Sequence, residues 1–214
     1  MRVLILLWLA GAPASADLES DWRGIERGGN LQVRRLFEFA LEASAADWHP
    51  ERVEIALRKA EQMQDRDGKS ATYGNFRWYW DEPGVTDGNA VEFAMERAGL
   101  LWKYHRGRLT PGGRETLQGM IGLAAEGIRR HRVSVGYTNI FLMKTWNCLV
   151  LGESAGMPEL AELGGEMLDA WLFHTWSSGV REYLSPTYTG VDLGCLGLIR
   201  SEEHTSELQS PNTI

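Results

Sequence analysis

Residues 138–176, TNIFLMKTWNCLVLGESAGMPELAELGGEMLDAWLFHTW, contain two consecutive segments with different apolar patterns. Residues 140–151 are apolar on nearly every side, which is typical of a helix that is buried all round. Residues 157–176 place acids on one helical face and apolar side chains on the other, which is typical of a surface helix. The acids are Glu159, Glu162, Glu166 and Asp169, and the apolar residues are Leu160, Met167, Leu168 and Trp171. This stretch predicts a helical hairpin with one buried and one outer member.

The same alternation extends along most of the chain. Residues 90–104 and 191–199 are also apolar nearly all round, and residues 111–131 are amphipathic. The buried helices are predicted to begin at Asp87, Thr138 and Thr189, which are 51 residues apart. The sequence therefore predicts an all-α fold of alternating inner and outer helical hairpins that repeat about every 50 residues.

Residue spacing predicts two further helices that each have one apolar face. A helix over about residues 51–64, which follows one over about 31–46, has an apolar face at helical spacing. A later helix starts with Thr110 as its N-cap and Pro111 in its first turn, and it runs to about His131. The predicted buried residues are Val53, Ala56, Leu57, Ala60 and Met63 in the former and Leu117, Met120, Ile121, Ala124 and Ile128 in the latter.

Both ends of the chain are predicted to lie outside the folded domain. Residues 1–16 combine a positive start, a short apolar run and the small residues Ala14-Ser15-Ala16, which is typical of a secretory signal peptide. We therefore expect a secreted or periplasmic protein. Residues 200–210, RSEEHTSELQS, resemble at every position the translation of a common short-read sequencing adapter. Residues 200–214 are accordingly predicted to be an artefact, which leaves residues 17–199 as the domain.

Composition excludes several classes of function. The net charge of −7 argues against a nucleic-acid partner, because neutralising phosphates requires an excess of Lys and Arg. Cys148 and Cys195 lie in apolar helical segments, which favours two buried thiols over the disulfide that secretion would permit. We find no zinc-binding or phosphate-binding motif, and no apolar segment after residue 16 is long enough to span a membrane. No metal or cofactor is therefore predicted.

Residues 73–89, YGNFRWYWDEPGVTDGN, indicate a carbohydrate site. Connecting loops are normally small and polar, whereas this one carries Trp78 and Trp80 beside several acids. Flat aromatic faces can stack on sugar rings, although either ring can instead fill the core. Asp81 and Glu182 are candidate acid/base residues for a hydrolase, which needs two carboxylates around the bond that it cleaves.

The layout resembles the (α/α) toroid family of carbohydrate-active enzymes, which includes heparinase-like and alginate-lyase-like polysaccharide lyases and several glycoside hydrolases. The segments that carry the resemblance are residues 74–81 (GNFRWYWD), 136–139 (GYTN) and 185–192 (SPTYTGVD). The resemblance implies that loops entering the inner helices line a substrate cleft. Because residues 17–199 are too few for a ring of six such hairpins, it also implies an incomplete toroid.

In toroid lyases an Asn, a Tyr or His, and an Arg carry the chemistry. The matching catalytic candidates here are Asn139, Tyr188, His131 and Arg181, and the substrate-binding candidates are Trp78, Trp80, Tyr137, Asn89, Asn147 and Asp192. Our first hypothesis is a polysaccharide lyase that cleaves a uronic-acid-containing glycan by β-elimination. The alternatives are a toroid glycoside hydrolase with paired carboxylates and a non-catalytic, glycan-binding helical scaffold. The expected partner in each case is a polysaccharide or an oligosaccharide.

Overall fold

The computed structural model describes residues 15–180 and 185–209, and in these residues the secondary structure is helical, with no strand. The all-α fold class is therefore confirmed. The α-helices are α1 (Ser15–Arg27), α2 (Val33–Ala45), α3 (Pro50–Gln62), α4 (Ala90–Leu100), α5 (Pro111–Arg130), α6 (Thr138–Ser154), α7 (Pro158–Ser178) and α8 (Pro186–Gln209). None of these helices combines the length and the hydropathy that a membrane span requires.

The described residues divide into two compact units. One ends at His131 and the other begins at Arg132, and we call them the N-terminal and the C-terminal unit. In the N-terminal unit α2 packs against α1, α3 and α4, while α5 packs against α3 and α4. In the C-terminal unit α6 packs against both α7 and α8.

The predicted faces of α3 and α5 form much of the core of the N-terminal unit. All five predicted residues of each face are no more than 1% exposed. The Thr110 hydroxyl accepts a hydrogen bond from the N–H of Gly113 at 2.9 Å, which confirms it as the cap of α5. The same hydroxyl donates to the Glu54 carboxylate on α3, so the cap also joins the two helices.

Helix α1 was not predicted, although its apolar residues have helical spacing. Leu18, Trp22 and Ile25 are buried. The guanidinium group of Arg52, in α3, lies 5.1 Å from the ring of Trp22 and 5.0 Å from that of Trp48. Through these two cation–π contacts, Arg52 joins α3 to Trp22 of α1 and to Trp48 in the turn between α2 and α3.

The helices predicted to be buried all round behave differently from one another. In α4 and α6 most residues are buried, as predicted, and α4 continues through a π-helical turn to His105. In residues 191–199 of α8, by contrast, burial is confined to Asp192, Cys195 and Ile199, and Leu193 is 65% exposed. The prediction of all-round burial was therefore wrong for α8. Its buried residues lie on one face, as expected of a helix that packs one side against α6.

The predicted start of α8 was also wrong. The helix begins at Pro186, and the hydroxyl of Ser185 accepts a hydrogen bond from the N–H of Tyr188 at 3.5 Å. Thr189 instead donates its hydroxyl to the carbonyl oxygen of Ser185, one turn back along the helix. A serine cap followed by proline in the first turn is the stronger start signal. Helix α4 likewise begins at Ala90 and not at the predicted Asp87, so α4, α6 and α8 begin 48 residues apart rather than 51.

The two cysteines are buried thiols and not a disulfide, as their apolar surroundings in the sequence favour. Cys148 and Cys195 are both buried thiols, and each is 0% exposed. Both lie in the C-terminal unit, in α6 and α8.

Candidate functional site

Residues 73–89, which we call the aromatic loop, begin in direct contact with the backbone of α5. Gly74 has a φ of 84°, and a Cβ there would collide with the carbonyl oxygen of Leu123. The buried Gln64 side chain donates to the carbonyl oxygens of Gly74, at 3.1 Å, and Met120, at 3.0 Å. Glycine is therefore required at position 74 both by the backbone conformation and by the close approach of α5.

The turn that precedes the aromatic loop is organised by the carboxylate of Asp65. This carboxylate accepts hydrogen bonds from the Thr72 hydroxyl, at 2.6 Å, and from the N–H of Asp67, at 3.0 Å. Burial raises the pKa of Asp65, but the hydrogen bonds from Ser70 and Thr72 outweigh burial and hold the pKa below its ordinary value. The ionised form of Asp65 is therefore the one that stabilises this turn.

Trp78 is half-buried and is fixed in the loop by its indole nitrogen. The indole N–H donates to Asp87 Oδ2 at 2.9 Å, and the ring centroid lies 5.2 Å from that of Phe93. The other oxygen of Asp87 accepts from the N–H of Asn89 at 2.9 Å. Asp87 therefore shapes the turn into α4, and Asn89 stands at the N-cap position. Part of the Trp78 ring remains open to solvent.

Trp80, Asp81 and Glu82 differ from one another in their contacts and exposure. The half-buried Trp80 ring has the Lys59 ammonium group 5.7 Å from its centroid. Glu82 is engaged in the loop, because its carboxylate accepts from the N–H of Trp78 at 2.8 Å. Asp81 is exposed. Of these two acids, Asp81 is the one whose carboxylate faces solvent.

A carboxylate–imidazole pair lies where α4 packs against α5. Nδ1 of His131 is 3.1 Å from Oε1 of Glu92. Glu92 is in the first turn of α4 and is 0% exposed, while the His131 side chain is 13% exposed. His131 ends α5 and donates its backbone N–H to the carbonyl oxygen of Gly127. Helix packing thus brings together two residues that are 39 positions apart.

The aromatic loop reaches this pair through Gly88. A Cβ at position 88 would lie 2.8 Å from Cδ2 and 2.9 Å from Nε2 of His131. The carbonyl oxygen of Gly88 accepts a hydrogen bond from the side chain of Asn75, which is buried, at 2.9 Å. The end of the loop, the start of α4 and the end of α5 therefore meet at His131. We call the group formed by Trp78, Asp87, Gly88, Glu92 and His131 the histidine site.

The histidine site contains groups that can take part in proton transfer. An imidazole can accept and return a proton near neutral pH. A carboxylate on the other ring nitrogen fixes the orientation of the imidazole. Trp78 is hydrogen-bonded to Asp87, the residue that precedes Gly88. The half-buried Trp78 therefore offers an apolar ring close to the imidazole.

The predicted residues of the C-terminal unit have contrasting exposures. Asn139 and Asn147 are buried in α6, and Asp192 is buried in α8, which packs against α6. Tyr137 and Tyr188 are 42% and 45% exposed. Arg181 and Glu182 lie outside the described residues. The roles of all seven residues remain predictions.

Sequence reasoning missed Glu92, Gly88 and Asn75. A signal for Glu92 was present, because it is an acid in the first turn of a segment that is otherwise apolar nearly all round. Such a carboxylate must find a partner once its helix is buried. The role of Gly88 depends on the position of the His131 ring, for which the sequence contains no signal.

Within the part of the chain that the structure describes, the histidine site contains no group of metal ligands. Across residues 15–180 and 185–209, His, Cys, Asp and Glu side chains nowhere gather in the threes that could hold a metal ion. A surface concavity is lined by Glu19, Ser20, Arg23, Glu26 and Arg27, all of which belong to α1. A concavity on one charged helix differs from the apolar clefts that usually bind ligands.

Comparison with known proteins found no match, whether among protein-family models, curated proteins or solved structures.

Proposed function

We propose that the protein is a carbohydrate-active enzyme that cleaves a uronic-acid-containing polysaccharide by β-elimination, with His131 as the group that accepts the proton. The observation that carries this proposal is the contact between the buried Glu92 carboxylate and the His131 ring at the end of the aromatic loop. Secretion, which residues 1–16 predict, agrees with a polymeric substrate outside the cell.

The proposed fold is an arc of an (α/α) toroid. Support comes from the N-terminal unit, where α2 packs against α4 and α3 packs against α5, as alternating inner and outer helices do. In such an arrangement the loops that enter the inner helices lie at one rim. The aromatic loop enters α4, which is buried on most sides.

In the proposed reaction a single group, the His131 ring, both removes and returns the proton. The His131 ring removes the proton on the carbon next to the uronate carboxylate. The electron pair of that C–H bond forms a carbon–carbon double bond as the neighbouring carbon–oxygen bond breaks. The imidazolium then returns the proton to the leaving oxygen. Helix α4 begins two residues after Gly88, so its positive end lies next to the site and favours a substrate carboxylate.

Within the aromatic loop, the arrangement of acids favours elimination over hydrolysis. A hydrolase needs two carboxylates that are available to substrate. In the aromatic loop Glu82 and Asp87 accept hydrogen bonds from the loop itself, which leaves Asp81 as the exposed acid among the three. A lyase needs a base such as an imidazole instead of a second carboxylate, and His131 supplies one.

The test is an absorbance assay on a panel of polymers. The protein is incubated with alginate, pectate and glycosaminoglycans, and with a neutral glucan as control. We expect ultraviolet absorbance from the unsaturated product with at least one uronate polymer and none with the glucan. Reducing ends without that absorbance would show a hydrolase. Binding without either product would show a glycan-binding protein.

A further inference from the structure

We infer that Arg34, together with the rings of Phe93 and Trp78, forms a binding subsite for a sugar that carries a carboxylate. We call these three residues the arginine row. Arg34 is in α2, Phe93 is in α4 and Trp78 is in the aromatic loop, and α2 packs against α4. The inference rests on the proposed function for the identity of the anionic ligand as a uronate.

Three flat groups follow one another along the arginine row. The ring centroid of Phe93 lies 5.2 Å from that of Trp78, and the guanidinium carbon of Arg34 lies 5.4 Å from the centroid of Phe93. Both rings are half-buried, and 41% of the Arg34 side chain is exposed. The row therefore presents an apolar surface that ends in a cation, which suits a sugar ring that carries a carboxylate.

The guanidinium group of Arg34 is held by the protein through one of its three nitrogens. Nε donates to Glu38 Oε1 at 2.8 Å, one turn further along α2. Within residues 15–180 and 185–209, the two terminal nitrogens of Arg34 donate to no protein atom. These nitrogens form a planar fork that can bind a carboxylate through two parallel hydrogen bonds. Because Glu38 and Phe93 already fix the group, little side-chain freedom is lost on binding.

Arginines outnumber acids in the contacts around Glu38. Besides Arg34, the Glu38 carboxylate lies close to two other guanidinium groups. They are those of Arg35, at 3.1 Å, and Arg97, at 4.0 Å. Arg97 also lies 3.3 Å from Glu96. Three arginines and two glutamates leave these five groups with one net positive charge, which favours an anionic ligand over a neutral one.

The first experiment measures the binding of short oligosaccharides by titration calorimetry. The ligands are oligosaccharides prepared from alginate, pectate and a glycosaminoglycan, with a glucan oligosaccharide of the same length as the neutral control. We expect the wild-type protein to bind at least one of the uronate oligosaccharides more tightly than the glucan one. Equal affinity for the neutral and the anionic ligands, or binding of none of them, would overturn the inference.

A pair of neighbouring arginines supplies the variants for the same titration. Arg34→Gln should weaken uronate binding by about tenfold or more, because hydrogen bonds between charged partners are lost. Arg35→Gln is the matched control, since Arg35 contacts the same Glu38 carboxylate but has a side chain that is 78% exposed. The control should bind nearly as tightly as the wild type, because salt screens exposed charges. An equal loss in the two variants, or none in Arg34→Gln, would contradict the role of Arg34.

The second experiment needs no variant to fold. Phenylglyoxal modifies accessible guanidinium groups, and tandem mass spectrometry separates Arg34 from Arg35. The uronate oligosaccharide should slow the modification of Arg34 and leave that of Arg35 unchanged, whereas the glucan oligosaccharide should slow neither. Modification of Arg34 at the same rate with and without the uronate oligosaccharide would overturn the inference.

The outcomes separate this inference from the proposed function. Uronate binding that depends on Arg34, in a protein that releases no unsaturated product, would leave the subsite intact and reject the lyase. Unsaturated product from a protein in which the uronate does not protect Arg34 would do the reverse.

Discussion

Replacing Gly74 with alanine is expected to destabilise the N-terminal unit, because this residue sets the position of the aromatic loop against α5. A Cβ at position 74 would collide with the carbonyl oxygen of Leu123 and would lie 2.8 Å from the backbone nitrogen of Gly127. Both atoms belong to the backbone of a helix, which cannot rotate away as a side chain can. The loop must therefore move.

The size of the effect follows from three contributions. A φ of 84° costs an L-residue about 1–2 kcal/mol. Displacement of the loop adds about 1–3 kcal/mol, as overpacking does, and weakens the hydrogen bond from Gln64 to the Gly74 carbonyl oxygen. Loss of chain entropy in the unfolded state offsets about 0.4–1 kcal/mol. We therefore expect a net loss of about 1–5 kcal/mol in the free energy of unfolding.

Urea unfolding of the two purified proteins, followed by circular dichroism and tryptophan fluorescence, measures this loss. Gly84→Ala is the control within the same loop, because its Cβ has open space and its backbone does not need glycine. The control should be unchanged or slightly more stable. If Gly74→Ala unfolds within about 0.5 kcal/mol of the wild type, the described contact between the loop and α5 is wrong.

Three further predictions concern other parts of the N-terminal unit. Thr110→Ala removes the cap of α5 and its bond to Glu54, so it should cost about 1–2 kcal/mol in urea unfolding, while Thr110→Ser should retain most of the stability. Arg52→Lys keeps the charge but loses the planar group between two indole rings, so its melting temperature should fall; an unchanged value would mean that stacking contributes nothing. Burial opposes ionisation of Asp65, but the hydrogen bonds from Ser70 and Thr72 hold its folded pKa below the unfolded value of about 4. The stability that this carboxylate contributes is complete above that unfolded pKa and is lost as pH falls through the folded pKa, so Asp65→Asn should flatten the acid limb of a pH–stability curve. Parallel acid limbs for the two proteins would contradict the role given to this carboxylate.

The helices could be predicted because their apolar spacing is local information. The buried faces of α3 and α5 and the cap at Thr110 needed only the order of residues within one or two turns. The start of α8 was misplaced because Thr189 was given the capping role, whereas Ser185 and Pro186 form the start of the helix. The burial of α8 was overestimated because apolar composition does not determine how many neighbours cover a helix.

The candidate site could be predicted only in part. His131 and Trp78 were identified by residue type and position, since an imidazole and an indole suit sugar chemistry. Their relation to Glu92 and Gly88 depends on the register in which α4 packs against α5, which is a tertiary property. The sequence contains the acid in the apolar segment, but not the distance to the ring that it meets.

The masses of the oligosaccharides released from a uronate polymer test the central claim most directly. Elimination leaves an unsaturated non-reducing end, so each product that carries this new end is lighter by one water than the corresponding hydrolysis product. We expect this lighter series from the wild-type protein and a loss of about 100-fold or more in its rate for His131→Gln, because the proton acceptor is removed. Products with the full hydrolysis mass, or the lighter series at an unchanged rate from His131→Gln, would contradict the account.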